Sequence, residues 1–442
     1  MTFSPVSPCY ASRHVWGTGG RRFKSCRPDQ FPLPSIHDVA MNARRALAFI
    51  FCTVTLDVLA LGVMIPVLPT IVLDFMGGDT ADAAGVFGLF ATVWGLMQFL
   101  CSPLLGALSD RYGRRPVILI SCLGLGLDYI FMAIAPSLTL LFVGRIISGI
   151  TAATISTAFA YIADVTPPDG RAKAFGLVGM AFGLGFVVGP AIGGLLGGLD
   201  PRLPFWVSAA ACLANAAFGW FVLPESLPPE RRMAFEWKRA NPVGSLNLLR
   251  SQRQLLGLAT IDFVVNLAHQ VLPSVFVLYA AYRYGWGETT VGLTLAFVGI
   301  CSALVQGLVV GPAVTQLGTR RALIAGLLAG SLGMMIYALA PTGPWFWLGV
   351  PVMALWGVAG PSLQDMMSRR VSPSEQGQLQ GANSSSRSVA GMIGPGVFTA
   401  TFAYLINWLP GAAFLLAASL LVGAAGVAWV VTAPSRADDR FA

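Results

Sequence analysis

Gly106-Ala107-Leu108-Ser109-Asp110-Arg111-Tyr112-Gly113-Arg114-Arg115-Pro116 is a short polar knot between two long apolar runs. A charge at the centre of a membrane helix costs roughly 2.5 to 3.5 kcal/mol on insertion scales, so Asp110, Arg111, Arg114 and Arg115 cannot all lie in hydrocarbon. The knot is therefore a tight loop at a membrane surface, with Gly106 and Gly113 supplying the turn. The apolar runs on either side of it are spanning helices.

The rest of the composition agrees. A chain of 442 residues that is 55% hydrophobic and 11% charged, with a mean hydropathy of +0.70, lies outside the range of soluble domains. The seven cysteines are scattered, and Cys52, Cys101, Cys122, Cys212 and Cys301 sit inside apolar runs, where thiols behave as small hydrophobes. The pattern gives no disulfide framework, no metal site and no cofactor. The net charge of +8 is confined to particular loops, so it reports orientation in a lipid bilayer and not a nucleic-acid partner.

A spanning helix needs about 20 apolar residues. Twelve segments meet that rule, at approximately 46–71, 84–107, 116–135, 138–164, 173–197, 204–223, 255–282, 289–315, 321–340, 345–369, 378–405 and 408–432. The one long polar connection, 224–254, divides them into two sets of six. Nineteen Lys and Arg fall in the even loops and flanks, among them Arg44, Arg171, Arg231, Lys238, Arg320, Arg369 and Arg436, whereas the odd loops hold only Arg202 and Arg283. By the positive-inside rule both termini and the knot are cytoplasmic.

The halves are also related to each other. An offset of 205 sets Asp57 on Asp262, Gly144 on Gly349, Gly176 on Gly381, and Gly189-Pro190 on Gly394-Pro395. One shift matching four positions in three segments indicates a duplicated six-helix unit. The expected architecture is all-α and integral to the membrane, with twelve helices in two pseudo-symmetric bundles, 41–223 and 255–432, a cytoplasmic linker at 224–254 and a tail at 433–442. Parallel repeats of this kind define the major facilitator fold, whose substrate site lies between the halves near mid-membrane. Residues 1–40 are rich in Pro, Gly, Ser and Arg and lack the apolar core of a secretory signal. They read either as a disordered extension or as a segment absent from the mature protein.

Several motifs resemble the major facilitator drug/proton antiporters, and within them the tetracycline efflux proteins. The knot matches the loop between the second and third helices of that family. Gly185-Phe-Val-Val-Gly189-Pro190-Ala-Ile-Gly193-Gly194 is similar to the antiporter signature of the fifth helix. Leu56-Asp57, Asp128-Tyr129, Gly144-Arg145-Ile146 and Gly377-Gln378-Leu379-Gln380-Gly381 extend the likeness, which runs from about Met41 to about Val431. The resemblance implies proton-driven export of a drug, a metal-chelated one included, by a monomer in a bacterial inner membrane. Two positions depart from it. The tetracycline proteins carry a histidine in the eighth helix and an aspartate in the ninth, and here those positions are Ser302 and Gly330.

The residues that carry chemistry follow from placement. Asp57 lies about 17 Å into the first segment, near the middle of a hydrocarbon layer of about 30 Å. It must be protonated, paired or beside water, and intramembrane ionisable residues are functional by default. Its alternative is a structural hydrogen bond to a neighbouring helix. Asp128 in the third segment is read the same way. Desolvation favours the neutral form of a carboxylic acid, the property a proton carrier needs. Arg145 in the fourth segment does not readily lose its charge and requires a partner. The resemblance sets it on the proton-coupling route, and a fixed structural ion pair is the competing reading.

Asp262, Asn266, His269 and Gln270 of the seventh segment, together with Asp57, form the expected polar lining of a central cavity. His269 is either a proton carrier or simply hydrogen bonded. Gly185, Gly189, Pro190 and Gly193 of the fifth segment and Gly394 and Pro395 of the eleventh form a hinge or tight seam. Gly106, Asp110, Arg111, Gly113, Arg114 and Arg115 form a cytoplasmic gate in which Asp110 pairs with Arg114 or caps a helix of the other half. The second repeat keeps Arg320 and Arg321 without a matching acid.

The leading expectation is proton-coupled antiport of a small organic compound. Import or facilitated movement of a sugar or other metabolite is the rival within the same class, and a non-transporting receptor the rival outside it. An enzyme is disfavoured, because the chain contains no Gly-x-Ser-x-Gly and no His-Glu-x-x-His.

Overall fold

The computed structural model describes residues 36–151, 154–166, 168–233, 253–371 and 376–432. Most of the N-terminal extension, most of the linker with Lys238, Arg239 and Arg250, and the C-terminal tail lie outside these residues. Contacts divide the chain into Met1–Asn42 and Ala43–Ala442, and the description below concerns the second unit.

The regular structure among the described residues is helical. In order the helices are α1 (Ile36–Met64), α2 (Leu68–Phe75), α3 (Thr80–Tyr112), α4 (Arg114–Ile134), α5 (Leu138–Thr151), α6 (Thr154–Val165), α7 (Pro168–Gly197) and α8 (Leu203–Val222). There follow α9 (Arg253–His269), α10 (Val271–Tyr284), α11 (Glu288–Leu304), α12 (Val310–Leu339), α13 (Gly343–Ala354), α14 (Ala359–Ser368), α15 (Gln376–Leu405) and α16 (Ala412–Val431). Ten stretches among the described residues are long and apolar enough to cross a membrane. One of them, Glu288–Leu339, is 52 residues long and includes the non-helical Gly318, which divides it in two. With α5 and α6 taken as one further crossing, the count is consistent with twelve.

Several segments are jointed where the sequence reading drew them continuous. Pro66 cannot donate to the α-helical ladder, and α1 gives way to α2 through Ile65–Val67. The seventh segment breaks at the same level of the repeat, at Gln270, where α9 passes into α10 ahead of Pro273. A π-turn at Val305–Val309 joins α11 to α12, and a 3-10 turn at Leu355–Val358 joins α13 to α14. At the start of α3 the Asp79 carboxylate accepts from Ala81 N at 2.9 Å and Asp82 N at 3.1 Å, so the helix begins before residue 84.

Aromatic residues mark both ends of the apolar layer. Tyr404 and Trp408 are over nine-tenths exposed at one end, and Trp220 and Trp429 project at the other, the end that carries the knot. Between Trp408 and Trp429 runs α16, whose 20 residues rise about 30 Å, the thickness of a bilayer core.

Duplication is visible in backbone geometry. Gly113 breaks α3 from α4 with φ 107° and ψ 159°, and Gly318, at the offset of 205, has φ 75° and ψ 154°. Beside these breaks Arg115 lies over the Trp220 ring and donates to Trp220 O, while Arg320 lies over the Trp429 ring and donates to Trp429 O at 2.9 Å. Two chain reversals thus share one construction.

The turn role expected of Gly106 is not observed: that residue lies inside α3, with open space where a Cβ would stand. The bend belongs to Gly113 alone, whose positive φ is unfavourable for a side chain and whose added Cβ would collide with Glu225. An extended conformation at positive φ is essentially confined to glycine and costs another residue about 1 to 3 kcal/mol. Gly113→Ala is therefore expected to lower the thermal unfolding midpoint of the detergent-solubilised protein, while Gly106→Ala leaves it unchanged.

Candidate functional site

A cavity of about 380 Å3 lies at the centre of the helices. Phe87, Trp94 and Gln98 reach it from α3, Arg145 from α5 and Phe186 from α7. His269, Gln270 and Ser274 come from the α9–α10 joint, and Arg387 and Gly391 from α15. Its size is within the usual range for a small-molecule site.

Small residues set how closely these helices approach. On α7, Gly185, Gly189 and Gly193 face Val58 to Val63 of α1, and a Cβ at Gly189 would stand 2.8 Å from Leu59 O. The next face of α7, with Pro190 and Gly194, lies against Gly292 of α11. In the second repeat Gly394 packs on Leu267 and Gln270 in the corresponding way, and Gly95 of α3 meets Gly391 of α15. The hinge or seam residues thus occupy close helix crossings.

Arg145 is held by its neighbours on α5. Gly144 packs against Met132 and the Asp128 carboxylate of α4, and Gly149 packs against Trp94 and Met97 of α3. The Arg145 guanidinium lies 5.3 Å from the Trp94 ring centroid and in the electrostatic field of Asp128. Both charged residues are nearly inaccessible, at 6% and 2% exposure. Tyr129 and Cys212 are electrostatic neighbours of both Asp128 and Asp57. Close by, Thr53 donates to Asn215 at 3.1 Å, joining α1 to α8. Asp57, Asp128 and Arg145 therefore belong to one neighbourhood, and of the three Arg145 lines the cavity.

The expected cavity lining requires correction. Gln270 and His269 face the central cavity, and His269 lies with its ring 5.6 Å from Trp356. Asp57 does not line it. Asp262 and Asn266 line a second cavity of about 360 Å3, with Gln364 and Arg387. They lie on α9 before the break at Gln270 and face α14, whereas His269 and Gln270 stand at the break itself. Arg387 borders both cavities and was not picked out by the sequence reading. A signal existed: apart from Arg145, it is the only arginine in the interior of an apolar segment.

The knot is a compact ion network. Arg114 Nη1 pairs with Asp110 at 2.6 Å and donates to Ser109 Oγ at 2.6 Å, while Nε pairs with Asp164 of α6 at 3.1 Å. Glu225 Oε1 accepts Arg114 N at 2.8 Å and caps α4, and Asp110 O accepts Met233 N at 3.1 Å. Arg111 lies over the adjacent Tyr112 ring. The partners named here lie between Ser109 and Met233, so Asp110 takes the local Arg114 pairing and not a cap in the other half. In the second repeat the position matching Asp110 is Thr315, and an acid from another segment, Asp365 of α14, accepts from Thr319 at 3.2 Å and pairs with Arg369 at 3.0 Å.

Apolar spanning helices enclosing a cavity the size of a small molecule, with charged residues buried beside it, define a multi-pass membrane transporter. The chain belongs to the Major Facilitator Superfamily, whose family model matches residues 50–395. It is 41% identical over 383 residues to the class C tetracycline resistance protein of Escherichia coli, covering 86% of this chain and 95% of that one. To the class G tetracycline resistance protein of Vibrio anguillarum it is 38% identical over 374 residues, 82% of this chain and 93% of that one. Among solved structures it is similar to the human organic anion transporter MFSD10, with a TM-score of 0.66 at 24% identity over 87% of this chain and 99% of that one. It is also similar to the nucleoside transporter NupG, with a TM-score of 0.70 at 14% identity over 88% and 100%. These two likenesses are of fold.

The cavity assignment is open to chemical labelling. In a background whose native cysteines are replaced, Ser388→Cys, on the cavity wall, is expected to react with a hydrophilic maleimide. Ser331→Cys is expected not to react, because Ser331 is buried and bonded to Ala418 O at 3.0 Å.

Proposed function

We propose that the protein is a proton-coupled antiporter of a bacterial inner membrane that exports a small organic compound, a tetracycline being the first candidate. The observation that carries this reading is the position of Arg145, which borders the cavity on one side and faces the buried Asp128 on the other. Protonating Asp128 cancels its charge and leaves the guanidinium to the cavity. Releasing the proton restores the attraction between the two charges, and Asp57 adds a second carboxylate to the same neighbourhood. Proton and substrate are thereby linked through one fixed cation. The tetracycline assignment is supported by the identity to the class C and class G proteins.

Movement between two access states is supported by where the halves touch. The crossings Gly88 with Thr399, Gly194 with Gly292 and Gly198 with Thr289 all lie toward the end away from the knot. The halves are thus in contact at the far end, and the charge bias makes the knot end cytoplasmic with both termini. The bundles 41–223 and 255–432 act as the two rocking bodies, with the small-residue crossings as their seam. The knot stabilises the cytoplasmic end of the first bundle. A surface ion pair contributes about 0 to 1 kcal/mol, enough to bias states separated by a few kcal/mol.

In everted vesicles that hold a proton gradient, adding tetracycline should discharge part of it. Asp57→Asn and Asp128→Asn should each abolish the discharge at unchanged protein level. An unaltered response in either variant removes that carboxylate from coupling, and the absence of any substrate-dependent proton flux contradicts antiport.

A further inference from the structure

The central cavity has two arginines on its wall, Arg145 from α5 and Arg387 from α15, and no aspartate or glutamate among the residues lining it. The two cations are not equivalent. Arg145 is 6% exposed, lies over Trp94 and faces Asp128, which is itself buried. Arg387 is exposed, and its electrostatic neighbour Asp262 belongs to the adjoining cavity, where the Asp262 main-chain carbonyl holds Asn266. One cation is therefore buried between a ring and a carboxylate, and the other projects into the space a ligand would fill. The remaining wall is largely apolar and aromatic, with Trp94, Phe87 and Phe186 offering ring faces.

We infer that the transported compound is an amphipathic organic anion, with Arg387 as the residue that selects its negative group and the aromatic wall holding its apolar body. This rests on the export reading above and narrows its substrate class. A guanidinium binds a carboxylate or enolate through paired, charge-assisted hydrogen bonds, which gives geometric as well as electrostatic selection. A drug carried as a net-positive metal chelate would meet two like charges, whereas the metal-free acid of the same drug would meet a complementary one. Asp262 sits where it offers Arg387 an alternative partner when the cavity is empty, so an entering anion exchanges one carboxylate contact for another.

The test is equilibrium binding to the purified full-length protein in detergent. The probes are 9-anthracenecarboxylate, the neutral 9-anthracenecarboxamide and the 9-anthracenylmethylammonium cation, which share a ring system and differ in charge. The carboxylate is expected to bind about tenfold or more tightly than the amide, and the cation most weakly. Arg387→Gln should remove the preference by weakening the carboxylate alone, with amide binding as the control for folding, and Arg387→Lys should keep part of it. Equal affinities for the three probes, absence of carboxylate binding, or a preference that survives Arg387→Gln overturns the proposal. Flux of the same probes in everted vesicles separates this claim from the one it rests on. Anion-selective binding without transport contradicts export and upholds the anion site, while transport without charge preference does the reverse.

Discussion

A guanidinium in the middle of a hydrocarbon layer keeps its proton, and everything around Arg145 follows from that. Its charge has to be met by an anion, a ring face or water. The structure supplies Asp128 on α4, the Trp94 ring on α3 and the cavity itself. Arg145 and Asp128 make no direct hydrogen bond, so the constraint on how α3, α4 and α5 can pack is the Coulomb attraction of two charges in a low-dielectric interior. It is also a sensitive one, because adding a proton to Asp128 releases the constraint without moving any atom first.

The same economy shows in the helix crossings. Close approach of α1, α7 and α11 depends on residues that bring no side chain to the interface, and the second repeat uses Gly394 against Leu267 and Gln270 in the same manner. Such contacts are rich in van der Waals packing and poor in specific bonds, which suits surfaces that must come apart and re-form. The ion networks lie elsewhere, at the knot and at its counterpart around Asp365, Thr319 and Arg320. Charge fixes the ends of each body, while small residues form the seam between bodies.

The features legible in the sequence were those set by one-dimensional rules. Apolar length gave the spans, and the constant offset of 205 gave the duplication, which reappears in the backbone angles of Gly113 and Gly318. What depended on side-chain direction was harder to read. Asp262 and Asn266 share a helix face with Gln270, but the break at Gln270 rotates the chain and sends them toward another cavity. Arg387 went unnoticed because it follows a polar run of serines, where a charge looks like part of a helix end. Gly330, which stands where an acid was expected by family resemblance, packs against Trp356, and a Cβ there would lie 2.7 Å from that ring. Trp356 in turn faces His269, so packing occupies a region that the resemblance would have filled with charge.

The central claim is that proton and substrate are linked through Arg145. The most direct measurement is the number of protons exchanged when tetracycline binds the purified protein in weakly buffered detergent solution. The account predicts a change in the number of bound protons on binding, lost in Asp128→Asn while the variant remains monodisperse. Binding that proceeds with no proton exchange in the unaltered protein would contradict it.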